Sequence, residues 1–156
     1  MATEIERKFL VRGELWQPKD EGTAIMQGYL CTDPDRTVRV RTRGNQAYLT
    51  IKGRNSGISR LEFEYEIPFS DGAELLKLCK GPIISKRRHL ELHVDKYWEI
   101  DVFYGDNEGL ILAEIELPSE ETEFVLPPWA GPEVSHDNRY YNSYLAHHPY
   151  RLWKAL

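Results

Sequence analysis

Apolar and polar residues alternate with period two along most of this chain, and that pattern restricts it to a mainly β architecture. The alternation runs through Glu4–Val11, Ala24–Cys31, Thr37–Arg43, Ala47–Lys52, Ser59–Pro68, Ile84–Val94, Tyr97–Tyr104 and Leu110–Leu117. Turn signals punctuate it at Asp33-Pro34-Asp35, Arg43-Gly44-Asn45, Asn55-Ser56-Gly57 and Asp106-Asn107-Glu108-Gly109. Eight strands joined mainly by short connections predict an antiparallel β-barrel with a few peripheral helices, an α+β chain dominated by β. Ser70 is placed to cap a helix over Asp71–Lys80, and Ser119 another that carries Glu120, Glu121 and Glu123 in its first turns. A third helix is expected over Asp137–His147, where Arg139, Tyr140 and Tyr144 either close a barrel mouth or cover apolar sheet. The 156 residues suit a single domain spanning 1–156, at roughly 150 residues per domain.

The polar parity is unusual. Ordinary half-buried strands turn mixed polar residues to water. Here Arg39, Arg41 and Arg43 share one face, as do Arg60, Glu62, Glu64 and Glu66, and Glu114 pairs with Glu116 at i, i+2. Like charges repel across a sheet face, so a merely solvated sheet would gain by mixing them. Turning these faces inward resolves the conflict: they would line a water-filled tunnel. The cations Lys8, Arg39, Arg41, Lys52, Arg60, Lys86 and Arg88 would then face the carboxylates Glu4, Glu6, Glu62, Glu64, Asp101, Glu114 and Glu116. Guanidinium forks and ammonium groups grip phosphate oxygens, while carboxylates suit hard Mg²⁺ or Mn²⁺ ions that bridge to phosphate. A tri- or polyphosphate site follows.

Composition narrows the remaining classes. A net charge of −5 argues against coating nucleic acid, and the longest apolar runs are far short of the roughly 20 residues that span a bilayer. Met1 to Lys8 carry charges where a secretory leader needs an apolar stretch, so Cys31 and Cys79 are expected as reduced thiols in the cytoplasm. Glycines near Arg54 lack a phosphate-binding-loop pattern, and the histidines read as core or surface residues rather than metal ligands.

Glu4-Ile5-Glu6-Arg7-Lys8-Phe9-Leu10 resembles the ExExK signature that opens the CYTH superfamily, the triphosphate tunnel metalloenzymes. The resemblance continues in order along nearly the whole chain. Arg39-Val40-Arg41 is similar to the family's paired arginines, and Leu49 to Gly53 to its lysine strand. Arg60 to Glu64, Lys86-Arg87-Arg88, Glu99 to Phe103 and Ala113 to Glu116 are similar to its later charged strands. The small bacterial members that begin E-I-E-R-K-F-L also share the segment Val134 to Asn142. For that subgroup the resemblance implies a divalent-metal-dependent tripolyphosphatase, or a general triphosphatase. It implies that Lys8, Arg39, Arg41, Lys52, Arg60, Lys86 and Arg88 hold the phosphates, and that Glu4, Glu6, Asp101, Glu114 and Glu116 hold one or two Mg²⁺ or Mn²⁺ ions. Glu4, Glu6 or Glu62 would orient water, and Lys8 and Lys86 would assist the leaving phosphate. A homodimer through outward apolar faces is implied as well.

Two rivals stand beside this expectation: a class IV-type adenylyl cyclase, and a non-catalytic polyphosphate-binding module, which would need only the bases. One strand departs from the pattern. Leu90, Leu92 and Val94 share parity with Lys86 and Arg88, so that strand either carries apolar residues toward one tunnel end or contains a bulge. Arg43, Glu66 and Glu99 are expected at a mouth or the surface, and Arg7 and Arg87 on the outside.

Overall fold

The computed structural model describes residues 3–155. Nine strands form in chain order: β1 (Thr3–Val11), β2 (Thr23–Asp33), β3 (Arg36–Arg43), β4 (Gln46–Gly53), β5 (Ser59–Ile67), β6 (Lys80–His93), β7 (Lys96–Phe103), β8 (Ile111–Glu116) and β9 (Ala130–Glu133). They make one sheet ordered β5-β4-β3-β2-β6-β7-β8-β1-β9, and β1 also pairs with β5. That last pairing, with Thr3 opposite Leu61 and Ile5 opposite Ser59, closes an eight-stranded antiparallel barrel. Further along β1 the barrel seam opens and β9 takes over, with Phe9 opposite Glu133 and Val11 opposite Ala130. The fold class matches the expectation from periodicity; β9 lies in a Pro-rich stretch too short to show a period.

The helices fit less well. Helix α1 (Phe69–Leu78) begins after Pro68 with no side-chain cap, so Ser70 lies inside its first turn. It seats on the outside of the barrel through Gly72, where an added Cβ would fall 2.5 Å from the Ala47 Cβ. The expected helix after Ser119 does not form. Ser119 and Thr122 hydroxyls meet at 2.8 Å and the Thr122 hydroxyl also accepts from the Ser119 N–H, giving the backbone a local alternative to helix. The expected C-terminal helix is broken by extended Tyr141 into a single 3₁₀ turn, Asn138–Tyr140, and a short α2 (Asn142–Leu145).

Two cores divide along the strand parity. Outward residues Phe9, Trp98, Ile100, Ala113 and Ile115 pack under Trp16 and Trp129 from the flanking loops. Glu91 pins both loops, accepting from the Trp16 indole N–H at 3.1 Å and the Trp129 indole N–H at 2.9 Å. Replacing Glu91 by Ala leaves two indole donors without that acceptor. We expect a loss of about 3 kcal/mol, read as a melting temperature lower by roughly 6–12 °C. An unchanged melting temperature would remove the clamp from the stability account.

Inside the barrel, Tyr29, Ile84, Phe103, Leu110 and Leu112 form a second core with Leu145 and Ala146. The inward parity is therefore apolar at one end, where the C-terminal segment seats, and charged over the rest. Strand β6 pairs with β7 in unbroken register from Lys86 opposite Phe103 to His93 opposite Lys96. No bulge intervenes, so Leu90 and Leu92 extend past the charged zone, 63% and 55% exposed. Val94 at the hairpin tip takes a left-handed φ of 61°, a costly conformation for a β-branched residue. Among the described residues no helix is long and apolar enough to cross a membrane.

Candidate active site

The inward faces of β1, β3, β4, β5, β6 and β8 converge on one cavity. All the residues expected at the site line it except Lys86 and Asp101. Parity explains the convergence: residues two apart on a strand share a face, and neighbouring strands place those faces in register. Thus Thr50 lies opposite Glu64 and Lys52 opposite Glu62 across β4–β5. Across β1–β8, Lys8 lies opposite Glu114 and Glu6 opposite Glu116.

The acids and bases pair where they meet. Lys52 Nζ lies 3.0 Å from a Glu4 oxygen and 3.4 Å from a Glu62 oxygen. Lys8 Nζ is 3.7 Å from Glu114, and Arg39 is 3.6 Å from Glu64. Burial alone would lower the Lys52 ammonium, but Glu4 and Glu6 overcome it and hold the group above its ordinary range, fully charged. Burial, Glu114 and Glu4 together push the Glu6 carboxyl well above the usual carboxylate range. Burial also opposes ionisation of Glu114, yet Lys8 and a hydrogen bond from Glu6 hold it below that range. Glu6 is therefore the more readily protonated of the two and Glu114 the more readily ionised.

On the basic side the cavity has surplus charge. Burial, then Arg39 and Arg88, lower the Arg41 guanidinium from 12.5 to about 9. Such a shift in an arginine signals positive charges crowded together without enough counter-charge. The Arg39 Nε is buried with no hydrogen-bond partner. Both observations describe a pocket built for a polyanion.

Lys86 and Asp101 stand behind the wall. Asp101 takes Lys86 Nζ at 2.7 Å and Arg88 through both carboxylate oxygens, at 2.8 and 2.9 Å. Burial would raise the Asp101 carboxyl, but Arg88 and Lys86 hold it far below the usual range. Burial lowers the Lys86 ammonium from 10.5 to about 7, despite Asp101. Lys86, expected to touch phosphate, and Asp101, expected to hold metal, thus pair with each other, and Asp101 pairs with Arg88 as well.

Other placements follow the outward and rim assignments. Arg7 pairs with Glu133 at 3.1 Å on the outside, and Arg87 donates to the Glu21 carbonyl. Arg43 is exposed and donates to the Tyr48 hydroxyl, while Glu99 reaches Arg88 at 3.2 Å. In the C-terminal segment, Arg139 turns to Asp137 and Tyr144 stacks on His148. Tyr141, Asn142 and Ser143 face the cavity instead. Sequence reasoning missed these, and missed Gln27, because single polar residues in an irregular segment or an apolar stripe carry no period.

The carboxylates fit a divalent ion in one particular way. Among the described residues no three acidic or other ligating groups form a ready-made metal cluster. Lysines stand between the acids, so the site is not a closed protein cage. Mg²⁺ commonly takes one or two carboxylates and completes its shell with water and substrate phosphates. Glu6 and Glu114, both lining the cavity from the neighbouring strands β1 and β8, supply such an open pair.

The CYTH domain family matches residues 2–143 of the chain. The chain is 47% identical over 155 residues to an inorganic triphosphatase of Acetivibrio thermocellus, covering 99% of each. It is 38% identical over 152 residues to an inorganic triphosphatase of Nitrosomonas europaea, covering 92% of this chain and 97% of that one. A crystal structure of an inorganic triphosphatase superposes with a TM-score of 0.66 at 36% identity, over 94% of this chain and 95% of that one. With the charged barrel and these matches over nearly its full length, the chain belongs to the CYTH domain family.

Proposed function

We propose that this protein hydrolyses the terminal phosphoanhydride of inorganic tripolyphosphate, or of a related triphosphate, inside the charged end of its barrel. The observation that carries this reading is the crowding of Arg39, Arg41 and Arg88 in one cavity with the carboxylates Glu6 and Glu114. Bases alone would serve a binder; the adjacent open carboxylate pair adds what a hydrolase needs.

Arg39, Arg41, Lys52, Arg60 and Arg88 hold the phosphate oxygens and neutralise charge that builds on the transferring group. Glu4, Glu6, Glu114 and Glu116 would hold Mg²⁺ or Mn²⁺. A bound divalent ion supplies Lewis-acid polarisation of the phosphoryl oxygens and a more acidic water. Glu62 orients the attacking water. Water adds to the terminal phosphorus, the bridging P–O bond breaks, and orthophosphate and pyrophosphate leave. Lys8, held near Glu114 and the Tyr140 carbonyl, stabilises the charge left on pyrophosphate. Asp101 and Lys86 serve the same end from behind the wall by orienting Arg88. The free thiols Cys31 and Cys79 suit a cytoplasmic enzyme. The outward stripe Leu61, Phe63 and Tyr65 is the surface on which a homodimer would form.

Phosphate release from tripolyphosphate, followed with Mg²⁺, with Mn²⁺ and with excess EDTA, tests the metal requirement. We expect turnover with either metal, abolition by chelator, and recovery when metal is restored. Full activity in chelator would end the metal-assisted route.

A further inference from the structure

Strand β2 runs through the barrel with one inward amide, Gln27, between apolar Ile25 and aromatic Tyr29. Gln27 is fully buried, and so is Lys86 to within a per cent. An amide buried this deeply is costly unless both of its ends are satisfied. Both are. The Gln27 Oε1 accepts from Arg41 Nε at 2.8 Å, and its Nε2 donates to Asn142 Oδ1 at 2.9 Å. The same Asn142 oxygen accepts from Lys86 Nζ at 3.1 Å. Lys86 in turn holds Asp101, which holds Arg88. The result is a continuous chain, Arg41–Gln27–Asn142–Lys86–Asp101–Arg88, that meets the cavity at Arg41, Asn142 and Arg88 and is buried behind its wall at Gln27, Lys86 and Asp101.

Geometry limits what this chain can be for. Arg41 and Arg88 repel each other, and each must present a guanidinium to the same anion. A long arginine left free would sample many rotamers, so fixing Nε is what aims the remaining N–H groups. At Arg88 that task falls to a carboxylate, which also neutralises it. At Arg41 it falls to a neutral amide, which orients the guanidinium and leaves its charge uncompensated for substrate. Asn142 is the first residue of α2, so the C-terminal segment contributes directly to the aim of a barrel arginine.

We propose that Gln27 and Asn142 are positioning residues for triphosphate binding: Asn142, at the cavity wall, holds the buried Gln27, and Gln27 sets the orientation of Arg41 without touching substrate. The inference rests on the tripolyphosphatase reading and goes beyond it by assigning residues that neither periodicity nor charge pattern marks.

The test is Gln27→Leu, alone and in an Arg41→Ala background, with tripolyphosphate affinity measured by calorimetry in EDTA and steady-state constants measured with Mg²⁺. Gln27→Leu is expected to weaken binding and raise KM about 10-fold while kcat changes less than about 3-fold. In the Arg41→Ala background the same substitution is expected to add less than about 2-fold, because its target is gone. An unchanged KM, or an equal effect in both backgrounds, would overturn the proposal. Should Gln27→Leu not fold, Asn142→Leu against Asn142→Asp decides the matter. Aspartate keeps the accepting oxygen and is expected to restore most of the affinity that leucine removes; equal losses would overturn the bridge. Wild-type protein that neither binds nor hydrolyses tripolyphosphate would sink the functional reading itself, a different outcome from an unaffected Gln27 variant.

Discussion

Glu6→Gln is expected to lower kcat on tripolyphosphate by roughly 10²–10³-fold, the loss of about 3–4 kcal/mol of metal-assisted stabilisation. It is expected to do so without harming the fold. Burial, Glu114 and Glu4 raise the Glu6 carboxyl well above its unfolded value. A carboxyl raised on folding binds more protons in the native state, so its contribution to stability is present below the unfolded value and is lost as pH rises toward the raised one. In metal-free buffer, ionising Glu6 therefore costs the native state stability. Glutamine keeps the shape and removes that charge, so the melting temperature at pH 7 should equal or exceed that of the wild type. A variant both inactive and markedly less stable would mean that Glu6 serves packing rather than metal. Near-normal turnover would remove β1 from the metal site.

Arg41→Ala is expected to raise KM for tripolyphosphate by roughly 10–100-fold, at about 1.5–3 kcal/mol for a charge-assisted hydrogen bond to phosphate. The Mg²⁺ concentration for half-maximal rate should move much less, because Arg41 faces Arg39 and Arg88 rather than the carboxylate pair. Relief of that crowding offsets part of the lost packing, so the fold should persist. Equal losses in metal and substrate affinity would contradict the division of the cavity into a basic side and an acidic side.

Much of this arrangement was legible in the residues themselves. Period two is enforced by geometry, and a one-residue slip would expose every apolar side chain, so parity alone placed Lys8, Arg39, Arg41, Lys52, Arg60 and Glu62 on the inward face. Parity cannot rank residues within that face. Asp101 and Glu114 both point inward, yet Asp101 sits behind the wall, paired with Lys86 and Arg88. The same limit applies to the apolar half of the interior, where Leu110 and Leu112 follow the parity of Glu114 into a core rather than a tunnel. The C-terminal segment was legible only in outline. Its helical period is interrupted at Tyr141, and Asn142, which reaches Gln27 and Lys86, ends the shared segment Val134 to Asn142 but carries no charge that marks a role.

The central claim is that this barrel splits tripolyphosphate at its end. Following tripolyphosphate, and separately ATP, by ³¹P NMR with Mg²⁺ tests it most directly. The account predicts equimolar orthophosphate and pyrophosphate from tripolyphosphate, with ATP consumed more slowly and without a cyclic product. Cyclic AMP and pyrophosphate from ATP would make the protein a cyclase, and unchanged tripolyphosphate under saturating binding would make it a polyphosphate-binding module.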